Sequence, residues 1–250
     1  MRNSRKRLLV SSTLLMFGSL SVFVVLLRAQ NAQEPMSHPA LAQDLVSDSG
    51  TKLVEVTEAT FRSTKVSLNG YFCKVKNVSG KEITALGVVW TALFSDGSAA
   101  QSRQFIDSRI NKDIIEARGL KPIAPNEERE FRSSSTESFS KGLSIKSVKV
   151  KVDFVEFADS SSVGTENSKT YRQLMSVRQG ADFCKQWLTD IYKNSPQNIN
   201  LLVEKLSSNE LPNDKELENS SAKQGAIIYQ KTALRVYQKE GAGALQRLLQ

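Results

Sequence analysis

The periodicity of the apolar residues changes once along this chain, and that change constrains its fold more than any other feature. Up to about residue 164 apolar and polar residues alternate, as in Val148 and Val150 on either side of Lys149. Such alternation is typical of β-strands with one buried face. From Glu166 onward apolar residues recur every three to four positions, which is typical of amphipathic helices. The sequence therefore predicts an α+β protein.

Strand patterns follow one another through the segment 51–164. The predicted strands are 53–61, 66–78, 83–94, 102–106, 129–134 and 145–157. The turns between them include Gly80 and Gly97, at positions where we expect a positive φ angle. No helical pattern long enough for a crossover separates the strands, so we expect an antiparallel β-sandwich. Residues 111–121 fit either a further strand or a short irregular excursion.

Several motifs in this segment resemble those of a known family. They are the turn at 77–81 (Asn-Val-Ser-Gly-Lys), a strand with Trp90 that leads to Asp96-Gly97, and a turn at 125–127 (Pro-Asn-Glu) that precedes Phe131. Their order is similar to that of bacterial extracytoplasmic immunoglobulin-like sandwiches of the FxLYD type. Asn126 stands where those proteins usually have glycine. The last strand also resembles that of uncharacterised exported bacterial proteins with a terminal Phe-Ala-Asp-Gly turn. The resemblance implies an immunoglobulin-like fold and no particular activity.

The N-terminus carries an export or anchoring signal. Four basic residues, Arg2, Arg5, Lys6 and Arg7, precede an uncharged and mostly apolar run at 8–27. About 20 apolar residues are needed to span a bilayer, so the run is long enough for a retained anchor. Cleavage after Ala29 or Ala32 is the alternative, although neither is a good peptidase site. A retained helix would lie N-in and C-out, and both outcomes place the rest of the chain outside the cytoplasm, in the membrane-attached or the periplasmic form.

Four regions follow from these patterns. Residues 1–28 are the signal peptide or membrane anchor, 29–50 a polar tether, 51–164 the sandwich and 165–250 a helical region. The tether contains Pro35, Pro39 and the single histidine, His38. The apolar residues at 41–46 fit a short helical turn.

Three helices are predicted in the helical region. Ser168 caps the first, which ends near Asn194, and Ser195-Pro196 reads as the start of the second. The third covers about 213–239 and is broken by Gly241 and Gly243, after which residues 244–249 fit a last helical turn or two.

The apolar side chains of these helices allow two interpretations. They pack together or onto the sandwich as a helical subdomain, or part of them forms an exposed stripe that docks on a partner protein or a membrane surface. The candidate docking residues are Trp187, Leu245, Leu248 and Leu249.

The two cysteines, Cys73 and Cys184, lie in different parts of the chain. An oxidising compartment permits a disulfide between them. Each cysteine also falls in an apolar pattern, so both can instead be small buried residues with free thiols. The sequence leaves both interpretations open.

The chemistry-bearing residues argue against most enzyme classes. His38 lies in the tether, which leaves the folded regions without a histidine for a catalytic triad or a multi-histidine metal site. No glycine-rich phosphate loop follows a strand. The net charge is +8 with a pI near 9.4, but acidic and basic residues are interleaved, which disfavours nucleic-acid binding. We therefore expect no enzyme activity, no cofactor and no metal.

The sequence predicts a non-catalytic extracytoplasmic protein that acts as an interaction or scaffold module with an unknown envelope protein. The alternative is a carbohydrate-binding protein or a hydrolase. It would use loop carboxylates, such as the pairs Glu127 with Glu128 and Asp153 with Glu156, beside an exposed aromatic residue. Trp90 lies in a strongly apolar strand, and we expect it in the core of the sandwich.

Overall fold

A computed structural model describes residues 36–43, 52–64, 67–110, 121–138, 143–195, 198–208, 210–212 and 215–249. The predicted signal or anchor at 8–27 lies outside these residues, as does nearly all of the ambiguous stretch at 111–121. In the described part of the chain, no helix is both long enough and apolar enough to cross a membrane. The predicted α+β class is confirmed, with two packed sheets followed by a helical region.

Nine strands of the described residues form the two sheets. They are β1 (Met36–Pro39), β2 (Leu41–Gln43), β3 (Val54–Ser63), β4 (Ser67–Asn77), β5 (Ile83–Phe94), β6 (Ala99–Asp107), β7 (Glu128–Ser138), β8 (Ile145–Phe157) and β9 (Ser162–Val163). The first sheet has the order β1-β3-β4-β7. The second has the order β2-β8-β5-β6, with β9 paired to β8. The long pairs are antiparallel, whereas β2 runs parallel to β8.

The segment 36–43 belongs to the sandwich rather than to a tether. β1 lies at an edge of the first sheet and β2 at an edge of the second. Between them the Ala40 amide donates a hydrogen bond of 2.9 Å to the Ala59 carbonyl, and the His38 ring stacks on Phe61 at 5.1 Å. Residues 41–43 form a strand instead of the expected helical turn, because the backbone of β8 offers them hydrogen-bond partners. The rest of that expected turn, 44–46, lies outside the described residues.

The core of the sandwich lies between the two sheets. Trp90 is fully buried there and stacks on Tyr71 at 4.9 Å, which confirms the prediction for Trp90. The inward side chains of β8, which include Val148 and Val150, are also buried in this core. Apolar burial of this kind is the main favourable contribution to folding.

Side chains and special backbone angles hold the turns. Asn77 is buried, and its amide nitrogen donates to the carbonyls of Lys81 (2.8 Å) and Ile123 (2.9 Å). Gly97 has the expected positive φ of 85°, whereas Gly80 is not among the positive-φ residues. Among the described residues other than glycine, Asn126 and Ser160 have a positive φ, of 67° and 68°.

The described residues of the helical region form four α-helices and a short 3₁₀ helix. They are α1 (Lys169–Asn194), α2 (Ile199–Ser207), the 3₁₀ helix (Lys215–Glu218), α3 (Ser220–Glu240) and α4 (Ala242–Leu249). Ser168 caps α1 as predicted, since its Oγ accepts the Tyr171 amide at 2.8 Å. Asn198 rather than Ser195 caps α2, because the Ser195 amide bonds to the last turn of α1. Gly241 ends α3 with a φ of 83°, and Gly243 lies inside α4.

Two interfaces position α1. On one side, Leu174 of α1 packs with Phe154 and Ala85 on the outer face of the second sheet. On the other side, α1 approaches α3 through Gly180 and Gly225. A methyl group added at Gly180 would lie 1.8 Å from the Ala222 carbonyl oxygen, so only glycine permits this distance between the two backbones. The helix α1 is therefore the element that joins the sandwich to the other helices.

Candidate functional site

The two cysteines lie in separate cores with free thiols, so the structure does not contain the possible disulfide. Cys73 is buried between the two sheets, and Cys184 is buried among the helices. Burial raises the pKa of each thiol to about 12. Both thiols therefore remain protonated and poorly nucleophilic at neutral pH. The sequence allowed either a disulfide or two small buried residues with free thiols, and the structure shows the buried free thiols.

The candidate docking residues belong mainly to the interior of the helical region. Leu245 is fully buried and Leu249 is 3% exposed. Trp187 and Leu248 are half-buried and pack against the same core. The four side chains do not form an exposed stripe, because α4 folds back against the other helices and buries its apolar face.

A buried charged cluster lies where α1 meets the sandwich. We call it the Arg178 cluster, and it consists of Arg178, Asp107, Glu156 and Arg109. The Arg178 guanidinium donates to both carboxylates, from Nε to Asp107 Oδ2 at 2.8 Å and from Nη1 to Glu156 Oε2 at 2.9 Å. The side chains of Asp107 and Glu156 are only 2% and 4% exposed. From the solvent side, Arg109 Nη1 lies 3.0 Å from Glu156 Oε1.

The cluster is built to hold charge rather than to transfer protons. Burial opposes the charge on Arg178, but its bonds to Asp107 and Glu156 outweigh that effect and raise its pKa above the ordinary value. The positive charges of two guanidinium groups balance the negative charges of two carboxylates, in a site that is largely closed to water. Charge-assisted bonds of this kind are strong and directional, so the cluster fixes the position of α1 on β6 and β8.

Neither carboxylate pair suggested for hydrolysis forms an open acid–base pair. Glu156 belongs to the Arg178 cluster, while Asp153 accepts a 2.6 Å hydrogen bond from Ser168 Oγ. Glu127 accepts the Ala124 amide at 2.9 Å and the Arg129 side chain at 3.0 Å. Partial burial of Glu127 opposes its charge, but these bonds prevail and lower its pKa. In the described ranges, no three His, Cys, Asp or Glu residues come together as a candidate metal site.

A groove of about 900 Å³ runs along α1 beside the Arg178 cluster. Its lining combines apolar and charged side chains, among them Met175, Phe183, Tyr229, Arg109, Asp182 and Lys185. Met175 is 43% exposed and is one of few large apolar side chains that the described residues expose. Sequence reasoning missed this groove, because α1 and the end of β6 are distant in sequence.

Comparisons with known proteins assign no activity. No family model matches the chain, and no curated protein matches it. A solved DUF1425 family member from Shewanella sp. pv-4 is similar with a TM-score of 0.26 and 10% identity, over 44% of this chain and 94% of that chain. A hypothetical protein from Peptoclostridium difficile 630 is similar with a TM-score of 0.26 and 10% identity, over 49% and 90%. The resemblance to the FxLYD type stays a prediction.

Proposed function

We propose that this protein is a non-catalytic, extracytoplasmic interaction module of the cell envelope, and that the groove along α1 receives a partner protein. The observation that carries the proposal is the groove itself, which lies beside the rigid junction made by the Arg178 cluster. A surface on a fixed helix needs little ordering when a partner binds, which lowers the entropic cost of association.

The composition of the groove supports a protein partner. Met175, Phe183, Tyr229 and Arg109 belong to residue types that are enriched in protein interfaces. Charged side chains such as Asp182 and Lys185 then form a polar border. The extracytoplasmic location is supported by the basic residues and the apolar run at the N-terminus.

Site-specific photo-crosslinking in the native cells tests this function. A photoreactive amino acid is placed in the full chain at Gln179, Asp182 or Gln186 along the groove, and at Thr57 on the outer face of the first sheet as a control. We expect the groove positions to capture the same envelope protein and Thr57 to capture none. Mass spectrometry identifies the captured protein.

A second variant tests the role of the groove itself. The change Met175→Asp places a charge on the exposed apolar part of the groove, and we expect it to reduce the crosslinks from Gln179 at unchanged expression. If Thr57 captures the same protein as the groove positions, or if no groove position captures any protein, the proposed function is wrong.

A further inference from the structure

The two outer faces of the sandwich differ in charge. On the first sheet, Lys76 lies in the pairing register between Glu55 and Glu128, and Lys74 lies between Glu58 and Glu130. Lys74 Nζ is 2.7 Å from the Glu58 carboxylate. Residues that lie opposite each other on paired strands project from the same face. Basic and acidic groups therefore compensate each other across this face.

Two rows of paired residues on the outer face of the second sheet, next to the part that α1 covers, contain basic residues and no acidic ones. One row of paired residues runs Arg103–Val89–Lys151, and the next runs Gln101–Thr91–Lys149–Leu41. Neither of these rows of described residues contains an acidic position. Asp153 lies 3.9 Å from the Lys151 ammonium, but its side chain is only 14% exposed and is bonded to Ser168. We call Arg103, Lys149, Lys151 and Leu41 the basic face.

The basic face also has an exposed apolar residue at its edge. Leu41 is 58% exposed and lies opposite Lys149 in the register. Lys149 is exposed, and the Lys151 side chain is 55% exposed. Lysines beside an exposed leucine match the chemistry of an anionic bilayer surface, which offers phosphate charge above an apolar layer.

The short chain ahead of β1 makes this contact feasible. The predicted anchor ends at residue 27, and residues 28–35 between it and β1 span at most about 30 Å when fully extended. A retained anchor would therefore keep the basic face within reach of the bilayer at all times.

We propose that the basic face rests on the anionic phospholipids of the leaflet to which the N-terminal anchor attaches the chain. The proposal rests on the envelope location in the proposed function and on the retained form of the N-terminal anchor, but it does not depend on a partner in the groove. Each Lys or Arg near an anionic leaflet strengthens binding about fivefold, so three give a gain on the order of a hundredfold. A hundredfold gain in membrane affinity is small for a domain that is free in solution. It is enough to orient a domain that an anchor already holds near the bilayer.

Lysine acetylation of the full chain in lipid nanodiscs tests the proposal. One set of discs contains phosphatidylglycerol with phosphatidylcholine, and the other contains phosphatidylcholine alone. We expect Lys149 and Lys151 to be acetylated at least about twofold more slowly in the anionic discs at low salt. Lys76 on the first sheet should react equally in both. High salt should remove the difference, because the Debye length falls to about 3 Å at 1 M.

A matched pair of neutral variants sharpens the test. Lys151→Gln removes one charge from the basic face and should bring the reactivity of Lys149 in the two kinds of disc closer together. Lys76→Gln removes one charge from the first sheet and should leave the protection of Lys149 unchanged. Equal acetylation of Lys149 and Lys151 in both discs would overturn the proposal, as would a chain that does not remain with the discs. The crosslinks from the groove are a separate result in either case.

Discussion

At the scale of single residues, Ser160 and Asn126 occupy a backbone conformation that L-amino acids adopt at a cost. Their φ angles are 68° and 67°, where the side chain crowds its own backbone. Asn tolerates this region better than Ser, because its short side chain bonds locally. Both positions lie in turns, where glycine would avoid this cost.

Ser160→Gly should stabilise the protein by about 0.5–1 kcal/mol, because glycine removes the strain at a positive φ. The hydrogen bond that Ser160 Oγ accepts from Arg109 is 3.3 Å long and exposed, so its loss costs little. Chemical denaturation measures the change in the free energy of unfolding. The reverse change at the hairpin turn, Gly97→Ala, should destabilise by about 1 kcal/mol, since Gly97 has a φ of 85° and an alanine there would be strained. A loss of stability in Ser160→Gly would contradict this reasoning.

A positive φ angle could be predicted from the sequence only at residue types that commonly adopt it, such as glycine. Gly97 and Gly241 were expected to end regular structure, and both have a positive φ. Ser160 carried no such signal, since serine accepts most turn conformations. The cysteines are similar, because an apolar pattern shows that a thiol is buried but not in which core it lies.

At the scale of the elements, the contact between α1 and α3 depends on two glycines that face each other's backbone. An added methyl group would lie 1.8 Å from the Ala222 oxygen at Gly180, and 1.9 Å from the Val177 oxygen at Gly225. Neither oxygen belongs to a flexible side chain that can turn aside. The two helices would have to move apart to accept any other residue.

Gly180→Ala should therefore destabilise the protein by about 1–3 kcal/mol, although alanine is the better helix former. Gly243→Ala is the matched control, because the nearest atom to its added methyl group is 3.7 Å away at the end of the Arg247 side chain. That control should be neutral or stabilising by up to about 1 kcal/mol. Thermal unfolding followed by circular dichroism compares the two. Equal effects would show that helix propensity, not the approach of the two backbones, decides the outcome.

The long elements were predictable and the short ones were not. β5 and β8 follow apolar patterns over 12 and 13 residues, and their bounds agree with the prediction. β1 and β2 have 4 and 3 residues, too few to establish an alternating pattern. Their conformation comes from the sheet edges that they join. The start of α2 was predicted at Ser195, but Asn198, which is also a good capping residue, caps this helix.

At the scale of the whole molecule, the Arg178 cluster decides whether the sandwich and the helices behave as one body. Arg178 is far from its partners in sequence, since it comes 71 positions after Asp107 and 22 positions after Glu156. Taken singly, each looks like a surface charge near the end of a strand or on a helix. No local pattern reveals that they meet, so the sequence could predict both regions but not their junction or the groove beside it.

Arg178→Met should destabilise the protein by about 3–5 kcal/mol, since it leaves the buried carboxylates of Asp107 and Glu156 without their shared cation. Arg109 would still neutralise the charge of Glu156. Most of the lost stability would therefore come from the buried carboxylate of Asp107, which would lose the Arg178 guanidinium beside it. Denaturant unfolding measures the loss. As a control, Arg132→Met breaks an exposed pair with Glu130 and should cost less than about 1 kcal/mol. A similar small loss in both variants would mean that the cluster does not hold α1 in place.

The segment 36–43 acts as a strap across the edge of the sandwich, because β1 pairs in the first sheet and β2 in the second. If the chain ahead of Met36 is pulled, the tension must first detach β1 and then β2 before it reaches β3 and the packed core. A domain attached in this way can yield eight residues of chain to a mechanical load while its interior stays folded. The strap would in this way protect the packed core from a force applied at its N-terminal side.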